Sequence, residues 1–175
     1  MARQKKISLH DFQAYLAGRL SEAAAGIRGA TWLGFETNKT RWIVDLTDSG
    51  EIVQIHSGTL VMPVPLTLPW FIGLTNIRGN LYAVSDFSVF SGGAPVPRTS
   101  QARLLLIGAR YGSNSALLVN RLLGLKNPEN FTLKQQSSDE DAWDTHLLTD
   151  ELGNEWHQLS VPNLLKNKQF MNVGA

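Results

Sequence analysis

From Thr31 onward the chain is cut into short pieces. Stretches of six to eight residues, rich in β-branched and aromatic side chains, alternate with Gly, Pro, Asn and Asp. Pieces of that length suit strands, because an amphipathic helix needs ten or more residues to show its stripe. The spacing predicts strands over 31–36, 41–46, 51–56, 70–77, 80–85, 103–109, 115–122 and 155–161. It fits an all-β barrel or sandwich better than an array of alternating strands and helices. Asn38-Lys39 and Asp48-Ser49-Gly50 supply turn chemistry between neighbouring pieces. Residues 91–100 and 126–130 read as loops, and Pro162 is placed to start a short helix near the end.

The first 29 residues read differently. Ser8 can cap a helix, with Asp11 three positions on, and Leu9, Phe12, Leu16, Leu20 and Ala23 recur at helical spacing. Gly26 and Gly29 end the pattern. A single apolar stripe of this kind docks on its own domain or on a partner, and both remain open. The expected organisation is a helical extension over 1–29, one β domain over 30–170 and a tail over 171–175. No internal repeat or linker divides the β domain.

Composition removes several classes of function. With 43% hydrophobic and 18% charged residues in 175, the chain reads as globular. It has no cysteine, which excludes disulfides, thiolate metal sites and a cysteine nucleophile. A net charge of +1 gives no general attraction to nucleic acid. Asp11 and Arg19 interrupt any secretory apolar region. The most apolar run, TLVMPVPLTLPWFIGL, is 16 residues long and broken by Pro63, Pro65 and Pro69, so direct membrane insertion is not expected. A soluble, cytoplasmic protein is. The four histidines are scattered without metal-ligand spacing, and no nucleophile elbow or phosphate loop is present. The expectation is no cofactor, no metal and no catalysis. Five tryptophans lie among apolar and acidic neighbours, which favours core and protein contacts over base stacking. Seven of the 15 acids fall between Asp139 and Glu155. That stretch is expected to be a mobile, solvated loop, dispensable for folding; the other reading is a face that meets a basic partner.

Arg78 poses the sharpest question. Between Ile52 and Pro97 it and Asp86 are the two formal charges in an otherwise uncharged window. Arg78-Gly79-Asn80 reads as a hairpin turn, with Gly79 allowing positive φ. The arginine could dangle in water, serve as a positioned binding group, or sit against a carboxylate.

The ordered run Pro69, Gly73, Asn76, Arg78, Gly79, Val84 and Asp86 resembles the signature of CheW-like adaptor domains. The likeness extends upstream through Trp42–Ile52 and downstream to Ala116–Leu122 and Leu159–Leu165, covering roughly residues 30–168. The chain departs from the family pattern at Ser49, Ala83, Ser115, Ala116, Asn120 and Ser160. The resemblance implies two small five-stranded β-barrels packed around a shared core. It implies a non-enzymatic adaptor that couples the tip of a methyl-accepting chemoreceptor to the regulatory domain of a chemosensory histidine kinase, at cytoplasmic receptor arrays. It also implies that Glu51 and Arg78 pair, and that Ile52, Asn76, Gly79, Asn80 and Leu122 share the partner-binding surface. The helix before Trp32-Leu33-Gly34-Phe35 resembles adaptors of type IV pilus systems (the PilI type), which govern twitching motility. A β-barrel module binding nucleic acid is the alternative, and a small hydrolase a third reading.

Overall fold

The computed structural model describes residues 31–55 and 59–175; the helix expected near the N-terminus lies outside them. Eleven strands form two sheets among the described residues. Strands β1 (Trp32–Thr37), β2 (Thr40–Asp45), β8 (Arg121–Lys126), β9 (Phe131–Gln136), β10 (Asp144–Asp150) and β11 (Glu155–Leu159) make one sheet, in the order β8-β1-β2-β11-β10-β9. Strands β3 (Ser49–Gln54), β4 (Phe71–Ile77), β5 (Asn80–Asp86), β6 (Arg103–Ile107) and β7 (Ser115–Val119) make the other, in the order β3-β6-β7-β5-β4. The first sheet draws strands from both ends of the domain, and the second takes the continuous stretch between them. Short helices follow at α1 (Phe87–Phe90), α2 (Val161–Lys166) and α3 (Lys168–Met171). Pro162 lies in the first turn of α2, and Ser160 caps it.

Strand periodicity explains how two sheets share one core. On β6, Leu105 and Ile107 face one cluster while Leu104 and Leu106 face another; on β7, Leu117 and Val119 alternate in the same way with Ala116 and Leu118. On β2, Trp42 and Val44 point to the first cluster and Ile43 to a third, with Leu148 and Trp156. Side chains two apart share a face. Each sheet therefore has its own apolar interior, and a central cluster built around Phe35, Trp42, Phe87 and Leu105 lies between them. This is the mostly β, two-barrel architecture that the resemblance implies, with six strands rather than five in one sheet.

The acidic stretch corrects the sequence reading. Residues 144–150 are not loop but strand β10, paired on both sides with β9 and β11. Just before it, Trp143 packs its ring 5.7 Å from Trp42 and from Phe87 and 5.2 Å from Phe90. The carboxylates sit at the ends of the strand, where backbone and side-chain donors converge. Asp144 accepts from Nδ1 of His157 at 2.8 Å, a bond that raises the pKa of the imidazole. Asp150 accepts from the backbone N–H of Leu152 at 3.0 Å and Asn154 at 2.8 Å, and from Trp156 Nε1 at 2.9 Å. Burial opposes the charge on Asp150, but bonds from the Asn154 side chain, Trp156 and the turn backbone outweigh it and bring the carboxyl to about 2.

Asp150→Ala is expected to lower stability by about 2 kcal/mol, because the buried Trp156 indole loses its acceptor and the turn its hub. A urea melt at neutral pH checks this. The pH dependence has a fixed sign: the unfolded carboxyl has the higher pKa, so its stabilisation is full above about 3.8 and drains as pH falls through about 2. The variant should lose that part of the acid sensitivity.

Candidate functional site

The edges of the five-stranded sheet are β3 and β4. Between them lies a groove of about 580 Å³, lined by Glu51–Gln54 from β3, Asn76–Arg78 from the end of β4, and Leu60 and Met62 from the segment between. Leu60 and Met62 are 71% and 47% exposed, so the groove presents apolar surface to solvent.

Glu51 reaches the groove because of a bulge. Ser49 pairs with Ile107 and Ile52 with Leu105, leaving Gly50 and Glu51 opposite Leu106 alone. Such a bulge on an edge strand re-aims a side chain. Gly50 eases the bulge, since a Cβ there would press on the carbonyl oxygen of Ile107 at 3.1 Å. The start of β3 is pinned from below. The buried Asp48 receives the Tyr111 hydroxyl at 2.6 Å and the Arg110 guanidinium, and its carbonyl accepts from Gly108 N at 2.8 Å.

Arg78 comes from a two-residue hairpin. Ile77 pairs with Asn80, so Arg78 and Gly79 are the central residues, with φ of +51° and +86°, and Asn80 opens β5. Asn76 Oδ1 accepts from Gly79 N at 2.9 Å and closes the turn. A left-handed arginine costs about 1 kcal/mol or more; Asn or Gly would sit there more easily. Arg78 Nη2 lies 2.8 Å from Glu51 Oε1, with the two side chains 78% and 40% exposed. An ion pair that open contributes roughly 0–1 kcal/mol. The turn thus holds an arginine in an unfavourable backbone well, beside an ion pair of little worth to stability. Positive φ at both central residues is what a two-residue hairpin of this kind demands, and Asn38 and Lys39 meet the same demand between β1 and β2.

Glu51, Ile52, Asn76 and Arg78 line the groove together, and Gly79 and Asn80 complete its turn. Leu122 does not join them: it lies on β8 of the other sheet, opposite Phe35, and packs against the central cluster. Leu60 and Met62 were absent from the sequence-derived site. Their signal was the alternation of Leu60, Met62, Val64 and Leu66 in the proline-broken run, all of them exposed. Asp86 answers the other half of the charge question. It is buried, caps α1 through Val89 N at 3.1 Å and holds Val96 N at 2.8 Å.

Gly73 fixes the wall formed by Met62. Met62 and Leu74 exchange backbone hydrogen bonds of 2.7 and 2.9 Å, and a Cβ on Gly73 would lie 2.0 Å from the Met62 carbonyl oxygen at a φ of +140°. Gly73→Ala is expected to break that bridge and cost about 2 kcal/mol. Faster hydrogen exchange at the Met62 and Leu74 amides, with the central cluster still protected, is the expected readout.

No three His, Asp or Glu side chains converge as metal ligands among the described residues, and no described helix is long and apolar enough to cross a membrane. The groove carries one cation, already paired, which does not make the basic track that nucleic acid requires.

Two sheets around a common core, with an apolar groove ended by an exposed ion pair, make a two-barrel β domain with an open groove. The CheW-like domain model matches residues 31–166. The chain belongs to the CheW-like family, whose members are non-enzymatic chemosensory scaffolds. No curated protein matches the sequence. Among solved structures the chain is similar to scaffolding protein TtCheW from Thermoanaerobacter tengcongensis, with a TM-score of 0.64 and 13% identity over 83% of this chain and 97% of that one.

Proposed function

We propose that this protein is the adaptor that joins the tip of a methyl-accepting chemoreceptor to the regulatory domain of a chemosensory histidine kinase, in cytoplasmic arrays that control type IV pilus twitching. The observation that carries this reading is the Arg78–Glu51 pair at the groove. An arginine fork held by one carboxylate still has donors to give, and it recognises a partner's carboxylate with fixed geometry. The exposed Leu60 and Met62 supply apolar contact beside it. Ile52, Asn76, Gly79 and Asn80 shape the same surface; Leu122 acts with the partner only through the core it packs against. The pilus assignment rests on the helical pattern ahead of Trp32.

The test is a pull-down with the full chain from the native cytoplasm, paired with a gene deletion. The reading expects one histidine kinase and one chemoreceptor to be retained, and twitching to be lost while flagellar swimming persists. Retention of neither partner removes the adaptor reading. Retention of both with swimming lost instead removes the pilus assignment alone.

A further inference from the structure

The turn between β10 and β11 is built more firmly than a surface loop requires, and it holds up a leucine. Asp150 gathers four nitrogen donors, from Leu152, Trp156, and the backbone and side chain of Asn154. Gly153 takes the left-handed φ of +81° that closes the turn. At its tip Leu152 is 88% exposed. Apolar surface gains free energy on leaving water, so covering that side chain with a partner would be favourable. A rigid turn that presents an apolar knob is pre-organised for contact, since the ordering cost of binding has already been met.

The surroundings define what the knob would meet. Leu152 lines a cavity of about 260 Å³ together with Leu125, Phe131 and Trp156. Leu125, on edge strand β8, is 62% exposed. Two exposed leucines thus flank an aromatic cavity. Its mouth carries both signs, with carboxylates in excess. Asp150 and Glu151 line it, and Glu129 lies in the short turn between the lining residues Asn127 and Asn130. Two cations are engaged on the Trp156 ring, the Lys126 ammonium 5.3 Å and the Arg41 guanidinium carbon 5.9 Å from its centroid, and neither pairs with Glu151 or Glu129.

We propose that this end of the six-stranded sheet is a second docking surface, and that it takes a basic, apolar segment of a partner protein. One apolar side chain of that segment enters between Leu125 and Leu152, and flanking Lys or Arg side chains meet Glu151 and Glu129. The surface lies on the sheet that does not carry Arg78, so it stands whether or not the Arg78 groove binds a chemoreceptor. An adaptor needs two faces, and this one is chemically opposite to the first: acidic where the groove offers a cation.

The test uses the full chain labelled with ¹⁵N. The indole N–H of Trp156, held by Asp150 at 2.9 Å, is the reporter. Two synthetic peptides are titrated: one with a leucine between paired lysines, and its counterpart with glutamates in place of the lysines. The lysine peptide should shift the Trp156 indole and the Leu152 amide saturably, and the glutamate peptide should not. Leu152→Ser and Glu151→Lys, both at exposed positions, should each weaken binding at least about tenfold while thermal melts stay unchanged. Absence of saturable shifts would overturn the proposal. So would equal binding by Leu152→Ser, or the same shifts appearing with protein concentration alone, which would assign the surface to a second copy of the chain.

Discussion

Asp86→Ala should lower stability by about 3 kcal/mol. The side chain is 5% exposed and its two oxygens serve two different segments. Oδ1 accepts from Val89 N at 3.1 Å and caps α1; Oδ2 accepts from Val96 N at 2.8 Å and ties down the loop that follows. Losing the cap costs about 1 kcal/mol. Val96 is itself buried, so its N–H is left without a partner away from water, which adds roughly 1–3 kcal/mol. Asp86→Asn keeps one acceptor and should cost less than half as much. Denaturant melts of the three proteins give the comparison. An alanine variant as stable as the parent would mean that water replaces the carboxylate at both ends.

Arg78→Ala should do the reverse: leave the fold nearly untouched and weaken docking. In the free protein the mutation removes an ion pair of roughly 0–1 kcal/mol. The turn depends on Gly79 and on Asn76, which accepts its N–H, and both remain. In a complex the arginine would be desolvated. Truncating one member of a desolvated charged pair costs about 2–5 kcal/mol, or roughly thirtyfold to several thousandfold in affinity. Lysine keeps the charge but not the fork, so Arg78→Lys should recover only part of the loss. Glu51→Ala should resemble Arg78→Ala, and the double variant should lose less than the sum.

The two sheets were largely legible because several strands are short apolar runs bounded by turn residues, buried on both faces, as Leu104–Ile107 and Ala116–Val119 show. Three strands escaped for physical reasons. Strand β8 follows β7 with only Asn120 between them, so one apolar run hid a crossing from one sheet to the other. Strand β9 is an edge whose last five residues are all exposed, leaving no buried face to generate a period. Strand β10 was masked by carboxylates at its ends, Asp144 and Asp150, which serve His157 and the turn rather than solvent. Hydropathy cannot tell an acid that accepts from four nitrogen donors from one in water.

The site was legible in a different way. That Arg78 lies in a turn followed from Gly79. That it meets Glu51, 27 positions earlier, followed from a family resemblance and from nothing in the spacing. The pairing depends on a bulge at Gly50 and on closure of one sheet edge toward the other, and neither leaves a local sequence signal. Leu122, carried over with the same resemblance, lies on the other sheet, in a strand whose register no local pattern sets.

Co-sedimentation of the Arg78→Ala protein with native receptor arrays, beside thermal melts of the same preparation, tests the central claim most directly. The account predicts a variant that melts within a few degrees of the parent and stays in the supernatant while the parent pellets with receptor and kinase. A well-folded Arg78→Ala protein that pellets as fully as the parent would contradict it and leave Arg78 a solvated turn residue.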